Sequence, residues 1–204
     1  MSVNVTRKTN ESSISVTLDG AGFPDNYKEG ISTPCAMLNH MIEHIIYRSN
    51  IGIAVNCEYT AFALDHVVFE DAGSAIGRAF AKLMEQSVGS GVYGYGSATS
   101  IIDEARAQAA ISFESRALLA FSSDVQIPEL CEDTKSEDLK TFLDGFTQGA
   151  ACTLHIDVAR GDNAHHIWEA VYRAVGSALE AAFTANPSRA NRPSGVAGKI
   201  EIEN

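Results

Sequence analysis

The sequence predicts an α+β fold built from two similar α/β halves packed as one unit. His66-Val-Val-Phe-Glu70 and His165-His-Ile-Trp-Glu169 are both His-x-x-x-Glu, and they stand 99 residues apart. The same offset aligns Ala75 with Ala174, Ile76-Gly77 with Val175-Gly176, and Ala79-Phe80 with Ala178-Leu179. Around each copy the hydrophobic pattern gives one order: a helix, a strand, then the helix that bears the repeat.

The elements follow in turn. Residues 12–18 alternate polar and apolar, as a half-buried strand does, and Asp19-Gly20 marks a turn. After Thr33-Pro34, residues 34–48 set Met37, Leu38, Met41, Ile42 and Ile45 at helical spacing. Ile51 to Val55 reads as a strand. From Asp65 to Glu85, the apolar positions Val68, Phe69, Ala72, Ile76, Ala79, Phe80 and Leu83 keep a helix period. The glycine-rich run Ser87–Ser100 reads as a loop or an irregular strand, and it lacks a phosphate-loop lysine or dinucleotide fingerprint. Ala109–Phe121 reads as two short strands around Glu114-Ser115. The acidic segment Glu129–Asp138 reads as a solvated loop, 138–150 as a helix, 151–158 as a strand and 165–183 as a long helix. This divides the chain into halves at 1–95 and 96–185 and a Pro/Gly/Ser-rich tail at 186–204 that runs over the surface.

Composition narrows the function. The 204 residues carry 15 Lys+Arg against 26 Asp+Glu, a net charge of −11, which opposes general binding to nucleic acid or an anionic membrane. No apolar stretch approaches the roughly 18 residues of a membrane span. The polar opening MSVNVTRKTNES has no apolar signal core, which makes the cytoplasm the expected compartment. Cys35, Cys57, Cys131 and Cys152 show no metal-type spacing and read as small buried hydrophobes.

The chemistry concentrates in the histidines, of which there are only six. Residues i and i+4 share a helix face, so His66/Glu70 and His165/Glu169 each present an imidazole and a carboxylate to one point. That pairing suits a transition metal, and the carboxylate favours a harder ion such as Mn²⁺. A solvated His/Glu pair is the plain alternative for either one alone; two in symmetric positions, with His166 adjacent, favour a metal site. His155 lies on the preceding strand, and His40 and His44 lie one helical turn apart. Trp168 and Tyr172 read as packing residues.

The stretch Thr153-Leu-His-Ile through Gly161-Asp-Asn-Ala-His165-His166-Ile-Trp-Glu169-Ala resembles the C-terminal signature of the imidazoleglycerol-phosphate dehydratase family of histidine biosynthesis. Arg7-Lys-Thr-Asn-Glu11-Ser-Ser-Ile14, Leu38-Asn-His40-Met41, Leu64-Asp-His66-Val-Val-Phe-Glu70-Asp71 and Ile102-Asp103-Glu104 resemble its other motifs in order. The resemblance implies a duplicated, ribosomal S5 domain 2-like fold, each half a four-stranded sheet with helices on one face. It also implies a trimer-based homo-oligomer, typically of 24 subunits, with two Mn²⁺ ions at subunit interfaces and the substrate imidazole between them. On this resemblance His40, His66, Glu70, His155, His165, His166 and Glu169 are metal ligands, and Glu11 and Glu169 are catalytic. Arg116, Arg173 and Lys199 contact a phosphorylated imidazole substrate.

The chain departs from the family pattern at the site. Val67 stands where the family has a second adjacent histidine, which predicts the loss of a ligand and leaves one or two Mn²⁺ per chain. Leu64 replaces an aspartate, Arg48 a histidine and Arg173 a lysine, and Gly94 replaces a phosphate-binding arginine. His44 shares a helix face with His40 and is placed to substitute for the lost ligand. Three readings follow: a dehydratase with an altered metal shell, a divergent metal-dependent lyase on another small substrate, or a non-catalytic structural or regulatory relative.

Overall fold

The computed structural model describes residues 1–60, 62–196 and 198, so Lys199 lies outside the described residues. The first half runs β1 (Ser2–Lys8), β2 (Ser12–Asp19), β3 (Ile31–Ser32), α1 (Ala36–Ser49), β4 (Gly52–Tyr59) and α2 (Asp65–Ser87). The second half runs β5 (Tyr95–Ile102), β6 (Ala105–Ser112), β7 (Leu118–Ser123), a small hairpin β8 (Leu130–Cys131) and β9 (Thr134–Lys135), then α3 (Ser136–Ala150), β10 (Thr153–Arg160) and α4 (Ala164–Phe183).

The two sheets have one topology. Their strand orders are β1-β2-β4-β3 and β5-β6-β10-β7. In each, the central pair is antiparallel and the last strand joins parallel, β3 on β4 and β7 on β10. The fold is therefore the α+β duplication expected. The strand pairs β1-β2 and β5-β6 correspond at an offset of 93 residues, which makes Glu11, just before β2, the counterpart of Glu104, just before β6.

The halves interlock through their helices. α2 packs on β1 and β2 and α4 on β5 and β6, while α1 lies along α4 and α2 along α3. The α2/α3 contact is close because glycines face backbone: a Cβ at Gly77 would fall on the Phe146 carbonyl and 2.8 Å from the Ala150 amide nitrogen. Gly73, Gly145 and Gly149 meet the partner helix's backbone in the same way. Ile14, Leu18, Leu38, Met41, Phe69, Phe80, Phe142 and Trp168 fill the core between the sheets. Among the described residues, no helix is long and apolar enough to cross a membrane.

Three segments differ from the sequence reading. β1 shows only two apolar inward residues, Val3 and Val5, because the third inward position is Arg7, ion-paired 2.8 Å from Asp71. β5 is a regular strand whose inner positions are Gly96, Ala98 and Ser100. A Cβ at Gly96 would lie 2.7 Å from the Ala182 amide of α4, so no hydrophobic alternation is available there to read. The acidic segment 129–138 is not merely a solvated loop: it forms the β8-β9 hairpin and opens α3, burying Cys131, Thr134 and Asp138.

Candidate functional site

Among the described residues, a tight group of ionisable side chains lies where α1 meets α4. Helical spacing places His40, His44 and Arg48 on one face of α1, and His165, Glu169 and Arg173 on one face of α4. Asn163 caps α4, its side chain accepting the amides of His165 and His166 at 2.8 and 3.3 Å, which fixes both histidines in the first turn. Glu169 is the hub, with a side chain only 6% exposed. His165 Nε2 lies 3.3 Å from Glu169 Oε2 and His40 Nε2 3.7 Å from the same oxygen. His44 Nε2 lies 3.3 Å from Oε1 and 3.3 Å from His40 Nε2.

The surroundings tune this cluster. The Arg173 guanidinium pairs with Glu169 Oε1 and donates to the Ile101 carbonyl at 3.3 Å, so its charge is committed inside the chain. Arg48 packs against Gly176, with its Nε buried and unpartnered. Glu132, from the β8-β9 turn, meets His165 Nδ1 at 3.0 Å, and Glu43 faces His40 Nδ1 at 3.5 Å while pairing with Lys28. Burial pushes the His44 imidazole down to about 4 against the attraction of Glu169, which leaves it neutral with a free ring lone pair near neutral pH.

The other site residues lie apart from this cluster. His166 Nδ1 meets Glu104 Oε2 at 2.8 Å and His166 Nε2 lies 3.7 Å from Asp103, both acids belonging to the β5-β6 turn. The His166 hydrogen bond, helped by amides that include Asn163, pulls Glu104 down to about 2, and Glu104 raises His166 in return. On α2, His66 Nε2 and Glu70 are 3.5 Å apart, with Asp138 of α3 4.0 Å from His66 Nδ1. Both His66 and Glu70 are well exposed. His155 is an exposed residue of β10, whose neighbours Leu154 and Ile156 are buried, so it sits on the outer sheet face, opposite the helices.

Glu11 lies with Tyr59, Thr60, Phe62, Leu64 and Val67 around a cleft of about 100 Å³. Val67 and His44 are therefore in different places within the chain, and His44 adds to the α1/α4 cluster. Arg116 is exposed at the approach to β7, and the nearby Glu114 accepts from Ser112 at 2.9 Å. At Gly94, with φ +71°, a Cβ would fall on Ser194, so the C-terminal segment covers the spot from which an arginine side chain would leave. Sequence reasoning missed Glu104, Glu132 and Asp138 as histidine partners. No spacing rule links them to their histidines, whereas Arg173, four residues after Glu169, was accessible from helix geometry.

The donor set of the α1/α4 cluster suits a divalent cation: ring nitrogens of His40 and His44 and the buried Glu169 carboxylate, one atom of each within 4.8 Å of the others.

A sequence model described as imidazoleglycerol-phosphate dehydratase matches residues 33–179. The imidazoleglycerol-phosphate dehydratase of Azoarcus sp. is 36% identical over 186 residues, 89% of this chain and 90% of that protein. That of Dinoroseobacter shibae is 33% identical over 199 residues, 96% of this chain and 97% of that protein. The crystal structure of the Staphylococcus aureus enzyme matches with a TM-score of 0.74 at 27% identity, covering 91% of this chain and all of that one. The Pyrococcus furiosus structure matches with a TM-score of 0.77 at 25% identity, covering 96% of this chain. The two-sheet duplication, the histidine-carboxylate helices and these matches together make the chain a member of the imidazoleglycerol-phosphate dehydratase family of lyases.

Proposed function

We propose that this protein dehydrates imidazoleglycerol phosphate in histidine biosynthesis, in the cytoplasm, at a divalent-metal site altered from the family pattern. The observation that carries the reading is the convergence of His40 and His165 on the buried Glu169 in a chain of this family. His40, His165 and Glu169 would hold one ion. His66, Glu70 and His155 are exposed, and His166 stands apart from the α1/α4 cluster beside the β5-β6 turn, an arrangement that suits completion of a second site between copies in a large homo-oligomer. Mn²⁺ suits the mixed imidazole and carboxylate donors.

The bound ion supplies charge stabilisation when the substrate loses a carbon-bound proton and then hydroxide. Glu11, exposed beside its cleft, is placed to carry a proton at its carboxylate. Arg173 fixes Oε1 of Glu169 and so aims Oε2 at His40 and His165. Arg116, exposed before β7, would meet a phosphate, with Lys199 as its proposed companion. A second reading, a lyase acting on a different small substrate, is favoured by one observation: the family's phosphate-binding arginine is Gly94, and Ser194 fills the space in front of it.

The test is direct assay of imidazoleglycerol-phosphate dehydration together with metal analysis. Metal-dependent turnover, lowered at least about a hundredfold in kcat/KM by Glu169→Gln, supports the first reading. A metal-loaded protein with no turnover of this substrate refutes it and leaves the second.

A further inference from the structure

The α1 histidine that matches no family ligand position is the one most deeply set among the donors. His44 has a side chain 13% exposed, against 35% for His40 and 29% for His165. A surface histidine that merely decorates a helix keeps its ring in water; this ring is turned inward onto Glu169. Its Nε2 also lies 3.3 Å from His40 Nε2, a close approach of two nitrogens that are both natural ligand atoms. One donor atom from each of His40, His44 and Glu169 lies within 4.8 Å of the others, close enough for a single ion to draw them together. The separations here are 3.3 Å for His44 to His40, 3.3 Å for His44 to Glu169 Oε1 and 3.7 Å for His40 to Glu169 Oε2.

We propose that His44 is a metal ligand peculiar to this chain, which joins His40, His165 and Glu169 in holding one divalent ion inside a single protomer. His165 Nε2, 3.3 Å from Glu169 Oε2, faces the same carboxylate and is the fourth donor of this site. Because all four ligands come from one chain, this ion binds whether or not subunits associate.

The inference rests on the metal-dependent reading above, and the experiment separates the two. Chelator-stripped protein is titrated with Co²⁺, whose visible absorption is intense in four-coordinate sites and weak in six-coordinate ones. Wild type is expected to take up one equivalent with intense bands and to melt at a higher temperature when loaded. His44→Leu, which keeps the buried packing, is expected to lose those bands, bind Co²⁺ at least about tenfold more weakly and show no metal-induced rise in Tm, with its metal-free circular dichroism unchanged. Should His44→Leu fail to fold, His44→Asn carries the same test, since it keeps a small polar group but no strong ligand. Bands and affinity retained in the His44 variant but lost in Glu169→Gln would overturn the role of His44 and leave the metal-dependent reading standing. Wild type that binds no Co²⁺ would overturn both.

Discussion

Gly77→Ala is a test of sign. In an open helix interior the exchange stabilises by about 0.5–1 kcal/mol, since alanine loses less backbone freedom on folding. In α2 the new methyl would fall on the Phe146 carbonyl, 2.8 Å from the Ala150 amide nitrogen and 3.0 Å from the Phe146 carbonyl carbon. Carbon contacts settle at about 3.5–4.0 Å, so α3 would have to withdraw by on the order of 1 Å. Gly73, Gly145 and Gly149 hold the same two helices together along the crossing, which leaves no room for a local adjustment. The upper end of the overpacking range, about 3 kcal/mol, then applies, and the net effect is a destabilisation of about 2 kcal/mol. Urea unfolding at fixed protein concentration measures it, with Gly89→Ala as a control at a position where nothing lies within 4 Å. Stabilisation of Gly77→Ala by about the open-helix amount would refute the close α2/α3 contact.

Glu169→Ala leaves the Arg173 charge without its carboxylate and is expected to cost about 3–5 kcal/mol in metal-free protein, much of it recovered in Glu169→Ala/Arg173→Met; a double-mutant cycle by urea unfolding reads the coupling. Metal-free protein is expected to lose stability as the pH falls from about 6.5 toward about 4. The unfolded chain takes up the His44 proton across that window while the folded chain resists it, and His44→Leu should flatten the pH dependence there. Gly94→Arg places a side chain where Ser194 sits, so limited proteolysis should cut the segment 186–196 faster than in wild type. Val67→His is expected to create an imidazole–carboxylate pair with Glu11, visible as a shift of the new ring's titration by NMR that Glu11→Gln abolishes.

What was legible in the sequence was what apolar periodicity and local repetition can carry. α1, α2 and α4 present clean apolar stripes, and the duplicated His-x-x-x-Glu marked the symmetry before any contact was known. β5 was unreadable because the close approach of α4 demands small inner residues, and β1 because Arg7 replaces an apolar residue on its inner face. The site divided the same way. Pairs within a helix, His66/Glu70 and His165/Glu169, follow from spacing, as does Arg173 beside Glu169. Contacts between elements do not: Glu132 reaches His165 across 33 residues and Glu104 reaches His166 across 62.

The duplication explains how the two halves parted. Glu104 corresponds to Glu11 and His166 to Val67, and each pair meets at the same place, a strand turn against the start of the repeat helix. In the second half the carboxylate is spent on its histidine, held 2.8 Å away and fed by the amides of Asp162 and Asn163. In the first half valine offers no proton and no lone pair, so Glu11 faces an apolar cleft with Phe62, Leu64 and Val67 along its wall. A carboxylate tied to an imidazole holds a ring in place, as Glu104 holds His166. The change at position 67 therefore removes a candidate ligand from one half and, by the same step, leaves Glu11 without the imidazole partner that its counterpart Glu104 keeps.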